Sequence, residues 1–106
     1  VAVTVQVVAS LPQVFAYSLA QNYPNAFGSS TTIRYSLAKT SRVSLVVFSV
    51  TGQKVVTLLN WFQNPGVYTV TWDGRGNNGR RVAPGVYFYR MSTPAFSETR
   101  KLIVSG

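Results

Sequence analysis

Few residues of this chain could carry out chemistry. The 106 residues include no Cys and no His, and the acidic residues are Asp73 and Glu98 alone. Without thiols or imidazoles, disulfides, zinc sites and nucleophiles activated by Cys or His are excluded. Asp73 and Glu98 would be the carboxylate pair for glycoside hydrolysis, but one falls in a turn and the other near the start of a strand, and their spacing does not bring them together. The sequence therefore predicts no catalytic residue, no metal site, no cofactor and no enzymatic activity.

The segment DGRGNNGRR, residues 73–81, looks superficially like a calcium-binding loop. Such loops place Asp or Asn at alternate positions and contribute several carboxylates that offset the dehydration of the ion. Here the third position is Arg75, which would repel a cation, and Asp73 is the single carboxylate. We interpret the segment as a loop between strands in which Asp73 accepts hydrogen bonds from nearby backbone N–H groups.

The charge of the chain is strongly positive, with ten Lys and Arg against two acids and a net charge of +8. Such a balance suits an anionic partner, but it also suits a surface that merely keeps the protein in solution. Most of the basic residues are scattered, which favours the second interpretation, and we predict no nucleic-acid partner. The adjacent pairs Arg80-Arg81 and Arg100-Lys101 form a candidate anion surface. No apolar run approaches the roughly 20 residues of a transmembrane helix, so no transmembrane segment is predicted.

Short runs of alternating apolar and polar residues, separated by Gly, Asn and Pro, predict an all-β protein. In TTIRYSL, for example, Ile33, Tyr35 and Leu37 fall on one face. Gly52 is expected in the left-handed conformation of a tight hairpin turn. The number and spacing of the runs are typical of an antiparallel β-sandwich. The predicted strands are 31–37, 42–50, 54–60, 67–72, 86–91 and 99–104.

Two regions do not fit this alternation. Residues 10–30 are predicted to be an irregular segment lying over the sheets, because so many large apolar side chains would not stay in solvent. Trp61 and Phe62, beside the turn at Asn64-Pro65-Gly66, have two interpretations: an exposed contact patch, or a loop that folds back over the end of the core. The expected anchors of the irregular segment are Leu11, Phe15, Tyr17, Leu19, Tyr23 and Phe27.

The first ten residues, VAVTVQVVAS, form an additional strand in front of the sandwich, which we place at 11–106. Its apolar face consists of Val1, Val3, Val5 and Val7. Ordering this strand costs about as much backbone entropy as burying four Val side chains returns, so it also requires hydrogen bonds to a sheet edge. That edge belongs either to the same chain or to a neighbouring copy, as in donor-strand exchange.

Four stretches together resemble a known family: LAQNYPNAFGSSTTIRYSL, VTGQKV, TWDGRGNNGRRVAPGVYFYRM and TRKLIV. They are similar to the C-terminal sorting domain of type IX secretion cargo, and equally to the Ig-like domain of flagellar hook-capping proteins. The resemblance runs from about Leu11 to Val104, and Gln21-Asn22-Tyr23-Pro24-Asn25 is among its most specific parts. One departure is residues 26–29, Ala-Phe-Gly-Ser, where the family usually has Pro-Phe-Asn-Pro.

The resemblance implies an Ig-like sandwich of about seven strands without catalytic residues, located outside the cell or on the surface of a Gram-negative bacterium. It implies a secretion-sorting and surface-attachment module whose partners are the secretion machinery or surface lipopolysaccharide. The alternative is a structural subunit of an extracellular filament that donates its N-terminal strand to the next copy. The residues assigned to recognition by the machinery lie within FSETRKLIV and are Thr99, Arg100, Lys101, Leu102, Ile103 and Val104.

Overall fold

A computed structural model describes residues 3–9 and 15–106 of the chain, with the backbone alone for residues 7–9. The six strands predicted between residues 31 and 104 are confirmed, each end lying within three residues of its predicted position. No helix in these described ranges is long and apolar enough to cross a membrane. The described strands are β1 (Val5–Ala9), β2 (Ser18–Leu19), β3 (Thr31–Leu37), β4 (Ser41–Ser49), β5 (Lys54–Gln63), β6 (Gly66–Trp72), β7 (Gly85–Thr93) and β8 (Phe96–Val104).

The strands form two antiparallel sheets of four strands each. The first sheet has the order β1-β6-β3-β2 and the second has the order β5-β4-β7-β8. The two sheets face each other across one core, which makes the all-β sandwich that the alternation predicts. The described part of the chain thus has eight strands where about seven were expected, and the shortest of them is the two-residue β2.

Side chains at alternate positions of the central strands fill the core. On β3, Ile33, Tyr35 and Leu37 are at most 1% exposed, as the alternation predicts. Trp72 at the end of β6 is fully buried, with the ring of Phe27 at 5.5 Å and that of Tyr87 at 6.3 Å between centroids. This aromatic cluster joins the first sheet, the second sheet and the segment that precedes β3.

Strand β4 is apolar on both faces and lies between β5 and β7. Its inward residues Val43, Leu45 and Val47 are fully buried. On its outer face Val46 is also buried and Phe48 is half-buried. A strand with two apolar faces is expected at a central position of a sheet, and β4 has that position between β5 and β7.

Residues 15–30 are irregular apart from β2, which pairs with β3. Leu19 and Phe27 are buried as predicted, but Tyr23 is 81% exposed, so its predicted role as an anchor is wrong. The reason is its register: Tyr23 forms a bridge with Thr32, a residue of β3 that faces outward and is itself exposed. Leu11, another predicted anchor, lies outside the described residues.

Two tyrosine hydroxyls lock turns at the ends of the sandwich. The hydroxyl of Tyr87 donates to the carbonyl oxygen of Ala83 at 2.6 Å, which is the arrangement of a tyrosine corner. The hydroxyl of Tyr68 donates to the carbonyl of Asn64 at 2.7 Å with the same four-residue spacing. Gly52, in the β4–β5 turn, has a φ of 87° and occupies the predicted left-handed position.

Candidate functional site

Strand β8 carries the residues assigned to recognition by a secretion machinery, and it divides them between two faces. It forms one edge of the second sheet and pairs along its whole length with β7. Leu102 and Val104 point into the core and are 0% and 2% exposed. Thr99, Lys101 and Ile103 point outward and are exposed. A partner that approaches the folded domain therefore meets the outward three, whereas the inward two hold the strand in place.

Arg100 is the inward neighbour of Lys101 at the rim of the sandwich. Its Nε donates to the carbonyl oxygen of Leu19 at 2.6 Å, and its Nη2 lies 2.9 Å from a carboxylate oxygen of Glu98. Arg100 thereby joins β2 of the first sheet to β8 of the second. Because Arg100 and Lys101 point to opposite faces of the strand, this basic pair does not form one surface.

A short segment before β3 covers the free edge of β8, and we call residues 21–27 the edge clamp. The side-chain amide of Gln21 donates to the carbonyl of Lys101 at 2.7 Å. The backbone N–H of Ile103 donates to the side-chain oxygen of Asn25 at 2.8 Å. Backbone bonds then join Phe27 to Ile103 at 3.1 Å and to Ser105 at 2.9 Å. The edge of β8 from residue 101 to 105 is therefore already hydrogen-bonded by the chain itself.

Asn22 holds the edge clamp to the body of the sandwich. Its backbone N–H donates to the hydroxyl of Tyr89 at 2.8 Å, and that hydroxyl donates to the carbonyl of Ala20 at 2.7 Å. Its side-chain amide donates to Thr31 Oγ1 at 3.0 Å and to the carbonyl of Pro24 at 3.2 Å. Burial raises the pKa of Tyr89 to about 12, although the hydrogen bond from Asn22 and the charge of Arg100 act in the opposite direction.

The edge clamp is a feature that reading the sequence missed. Tyr23-Pro24-Asn25 indicates an extended residue followed by a turn, but nothing local indicates that Gln21 and Asn25 pair with a strand about 80 residues later. The one available signal was the family resemblance, since these residues belong to its most specific motif. The structure gives that motif a physical role, which is to close the edge of β8.

Strand β1 forms one edge of the first sheet, with β2 at the other edge, and it pairs with β6 of the same chain. Val5 lies opposite Val70 and Val7 lies opposite Tyr68. Val3 and Val5 are partly buried against the core. Val1, the first of the four valines assigned to this strand's apolar face, lies outside the described residues.

The loop at residues 73–81 is held by its own side chains. Asp73 accepts a hydrogen bond from the backbone N–H of Arg75 at 3.1 Å, as predicted, and its carboxylate lies 3.5 Å from the Arg75 guanidinium. Arg81 donates to the carbonyl oxygens of Asp73 and Gly28, while Arg80 is exposed. The described residues contain no group of three or more acidic, Cys or His side chains that could hold a metal ion.

Trp61 and Phe62 lie within β5 rather than beside it, because the strand continues to Gln63 before Asn64-Pro65 ends it. They are 68% and 61% exposed, which favours the contact patch over the folded-back loop. Phe62 lies opposite Arg42 of β4, whose guanidinium carbon is 5.5 Å from the centre of the Phe62 ring.

Comparison with solved structures finds the same sandwich inside larger proteins. One is PorU of Porphyromonas gingivalis, described as dimeric and latent, with a TM-score of 0.67 and 20% identity over 91% of this chain and 10% of PorU. Another is PorZ of the same organism, described as an essential bacterial surface component of the type IX secretion system, with a TM-score of 0.57 and 23% identity over 85% of this chain and 11% of PorZ. At these identities the likeness shows the fold alone, and the chain spans about a tenth of either protein.

No curated protein matches the chain. The family described as the FlgD Ig-like domain matches residues 21–95, which extend from the edge clamp to the β7–β8 turn. The matched range therefore includes five complete strands of the sandwich, β3 to β7. This match confirms the family resemblance seen in the sequence, and the chain belongs to the FlgD Ig-like domain family.

Proposed function

We propose that this chain is a non-catalytic secretion-sorting and cell-surface attachment module of a type IX secretion pathway. The observation that carries the proposal is the combination of an Ig-like family match with the fold of a domain in PorZ, a surface component of that system. Outside the cell or on the surface of a Gram-negative bacterium, such a module would contact the secretion machinery or surface lipopolysaccharide. The role needs a stable shape and no reactive group.

Strand β8 supplies the surface of the module that a receptor would recognise. Its edge is covered by the edge clamp from residue 101 to 105, so a receptor cannot add a strand to that part without displacing Gln21 and Asn25. Recognition of the folded domain would then use the outward side chains Thr99, Lys101 and Ile103. Arg100, Leu102 and Val104 contribute by holding those three in register.

Secretion of a reporter fused to this chain tests the proposal in a bacterium that has a type IX system. We expect K101A/I103A to retain the reporter inside the cell and the wild-type fusion to be exported. The matched control R34A/T71A changes exposed outward residues of the first sheet and should be exported normally. Both variants must unfold at the wild-type temperature, because a substitution that unfolds the domain would also stop secretion. Equal export of the two variants, or export from a strain without the type IX system, would contradict the proposal.

Strand β1 supports a second function, that of a filament subunit. It is joined to the sandwich by one hydrogen-bonded ladder at the sheet edge, and its inward residue Val5 is only partly buried. Such a strand could pair with β6 of a neighbouring copy without rearranging the other strands. Its pairing with β6 in the same chain favours the sorting module.

Size-exclusion chromatography with light scattering separates the two functions. A sorting module is expected to be a monomer with or without residues 1–9. A donated strand predicts oligomers that disappear when residues 1–9 are deleted, and negative-stain images would show them as linear chains.

A further inference from the structure

The outer face of the second sheet carries a regular array of side chains. Because residues paired across neighbouring strands point to the same side, the registers of β5, β4, β7 and β8 define its rows. One row runs Lys54, Phe48, Phe88, Lys101; the next runs Thr57, Val46, Arg90, Thr99; the third runs Asn60, Ser44, Ser92, Ser97; and Phe62 and Arg42 begin a fourth. We call this array the outer face.

The outer face has one sign of charge. It presents four cations, namely Arg42, Lys54, Arg90 and Lys101, and all four are exposed. Glu98 is the one acidic residue in the four strands of this sheet, and it lies opposite the buried Met91, on the inward side. A face with four cations and no carboxylate attracts an anionic ligand and repels a second copy of this chain, which also has a net charge of +8.

Two of the cations are held in fixed positions by aromatic rings. The guanidinium of Arg42 lies 5.5 Å from the centre of the Phe62 ring, and its Nε donates to the side chain of Asn60 at 3.0 Å. The guanidinium of Arg90 lies 5.4 Å from the centre of the Phe48 ring, and its Nε donates to Thr99 at 3.1 Å. Each arrangement orients the guanidinium while its terminal N–H groups remain able to bind a carboxylate.

A shallow depression of about 380 Å³ lies on the outer face, and the cations that line it are Arg42 and Lys54. Its lining includes Ser44, Thr57, Asn60 and Ser92, so hydroxyl and amide groups occupy the space between the charges. Such groups suit a ligand that carries hydroxyl groups along its length as well as acidic groups at intervals.

The spacing and position of the cations distinguish between polymers. Arg90 and Lys101 are one strand and two residues apart, roughly 8 Å, and Arg42 and Arg90 are one strand and four residues apart, roughly 14 Å. Phosphates on a nucleic-acid strand are far denser, about one per 3.4 Å along a duplex. An acidic peptide would pair with a sheet edge through its backbone, whereas the backbone groups beneath this face are already paired within the sheet.

We propose that the outer face binds a linear polysaccharide that carries carboxylate groups at intervals, with Arg42 and Arg90 as its principal contacts. The carboxylates would contact the guanidiniums, and the sugar hydroxyls would contact the polar row between them. The inference does not depend on the sorting role, because binding would occur equally in a filament subunit.

Immobilised hyaluronan is the probe, because it carries a carboxylate on every second sugar, and its carboxyl-reduced form is the neutral control. We expect the wild-type chain to bind hyaluronan but not the reduced polymer, and the affinity to fall as salt rises. R42Q/R90Q should weaken binding about tenfold, since two charge contacts are lost. The matched control R34Q/K39Q removes the same charge from exposed sites away from this face and should change the affinity less than twofold.

Each other result would overturn the proposal. If the wild-type chain does not bind hyaluronan, the proposed ligand is wrong. If R42Q/R90Q and R34Q/K39Q lose affinity equally, the attraction comes from net charge alone. Tighter binding of poly-L-glutamate or oligothymidylate at matched charge assigns the face to an acidic peptide or to nucleic acid. Unfolding midpoints verify the fold. K54Q/K101Q leaves both guanidinium stacks intact and should weaken binding less than R42Q/R90Q does, whereas an equal loss would assign binding to the charge of the face as a whole.

Discussion

At the scale of single residues, tyrosine hydroxyls connect the irregular parts of the chain to its strands. Tyr89 is the clearest case, because its fully buried side chain ends in a hydroxyl that both donates to Ala20 and accepts from Asn22. The ring packs in the core and the hydroxyl holds the beginning of the edge clamp. One side chain thus stabilises both the sandwich and the segment that covers β8.

Tyr89→Phe should destabilise the domain, since it removes the hydroxyl and keeps the ring. The backbone N–H of Asn22 and the carbonyl of Ala20 would both lose their partner, and we expect a loss of about 1–3 kcal/mol in the free energy of unfolding. Urea unfolding of the variant measures this loss. Tyr23→Phe is the control, because Tyr23 is 81% exposed and its change should be close to zero. Equal free energies of unfolding for the two variants would show that the hydrogen bonds of the Tyr89 hydroxyl do not stabilise the domain.

The buried tyrosines also predict how stability depends on pH. Burial raises the pKa of Tyr89 to about 12, and it raises the pKa of Tyr35 further, above the ordinary value of 10.0. The unfolded chain therefore loses these protons at lower pH than the folded chain does. Stability should be unaffected by these groups below about pH 10, and should fall between pH 10 and 12 by about 1 kcal/mol per pH unit for each tyrosine.

Urea unfolding at pH 8, 10 and 11 measures this dependence, and absorbance at 295 nm follows tyrosinate directly. Tyr89→Phe should reduce the slope above pH 10, because one of the contributing groups is removed. A free energy of unfolding that is flat to pH 11.5, or an unchanged slope in the variant, would contradict the assignment.

At the scale of elements, the strands could be predicted from the sequence and their connections could not. Strand β3 has the predicted bounds of 31–37, because strict alternation between Ile33 and Leu37 leaves one way to bury it. Strand β5 extends three residues past its predicted end. The prediction ended it too early because Trp61 and Phe62 are both apolar yet both exposed, so they do not alternate. The two-residue β2 has no periodicity at all.

The candidate site was predictable only in part, because local alternation encodes the two faces of a strand but not its contacts with distant residues. Alternation in TRKLIV separates the outward Lys101 and Ile103 from the inward Leu102, so the two faces of β8 are contained in the sequence. The edge clamp depends on hydrogen bonds between residues 80 and 78 positions apart, from Gln21 to Lys101 and from Ile103 to Asn25. No local pattern encodes such a pairing.

Asn25→Ala tests whether the edge clamp protects β8. The backbone N–H of Ile103 donates to the Asn25 side chain, so the substitution should raise the rate of amide hydrogen exchange at Ile103 by tenfold or more, about 1.4 kcal/mol of local protection. Exchange followed residue by residue with NMR measures this. Asn78→Ala is the matched control, because the side chain of Asn78 accepts from the N–H of Arg80 and should affect that amide instead. Unchanged exchange at Ile103 would show that water serves that amide equally well.

At the scale of the whole molecule, the sandwich covers parts of its sheet edges with its own loops. The edge clamp covers β8, and Asn77 covers the first part of β5 by bonding to the backbone of Val55 and Thr57. Exposed strand edges are sites of uncontrolled pairing, so these contacts favour a domain that stays separate. The positive charge acts in the same direction, because copies with a net charge of +8 repel each other.

The same charge should make the folded state sensitive to salt. Ten cations and two acids are confined to a body of 42 × 22 × 20 Å, and both acids are already in ion pairs, with Arg75 and Arg100. The Debye length is about 30 Å in 10 mM salt and about 8 Å in 150 mM salt, so the excess positive charges repel one another across the whole domain only in the dilute buffer. The unfolded chain keeps them farther apart and gains less from screening.

Raising NaCl from 10 to 150 mM should therefore increase the free energy of unfolding by about 1–2 kcal/mol, as measured in urea, which adds no ions. The variant R34Q/K39Q carries two fewer positive charges and should show a smaller increase. A fall in stability with salt would mean that attractive ion pairs outweigh the repulsion among the excess positive charges, and would contradict this prediction.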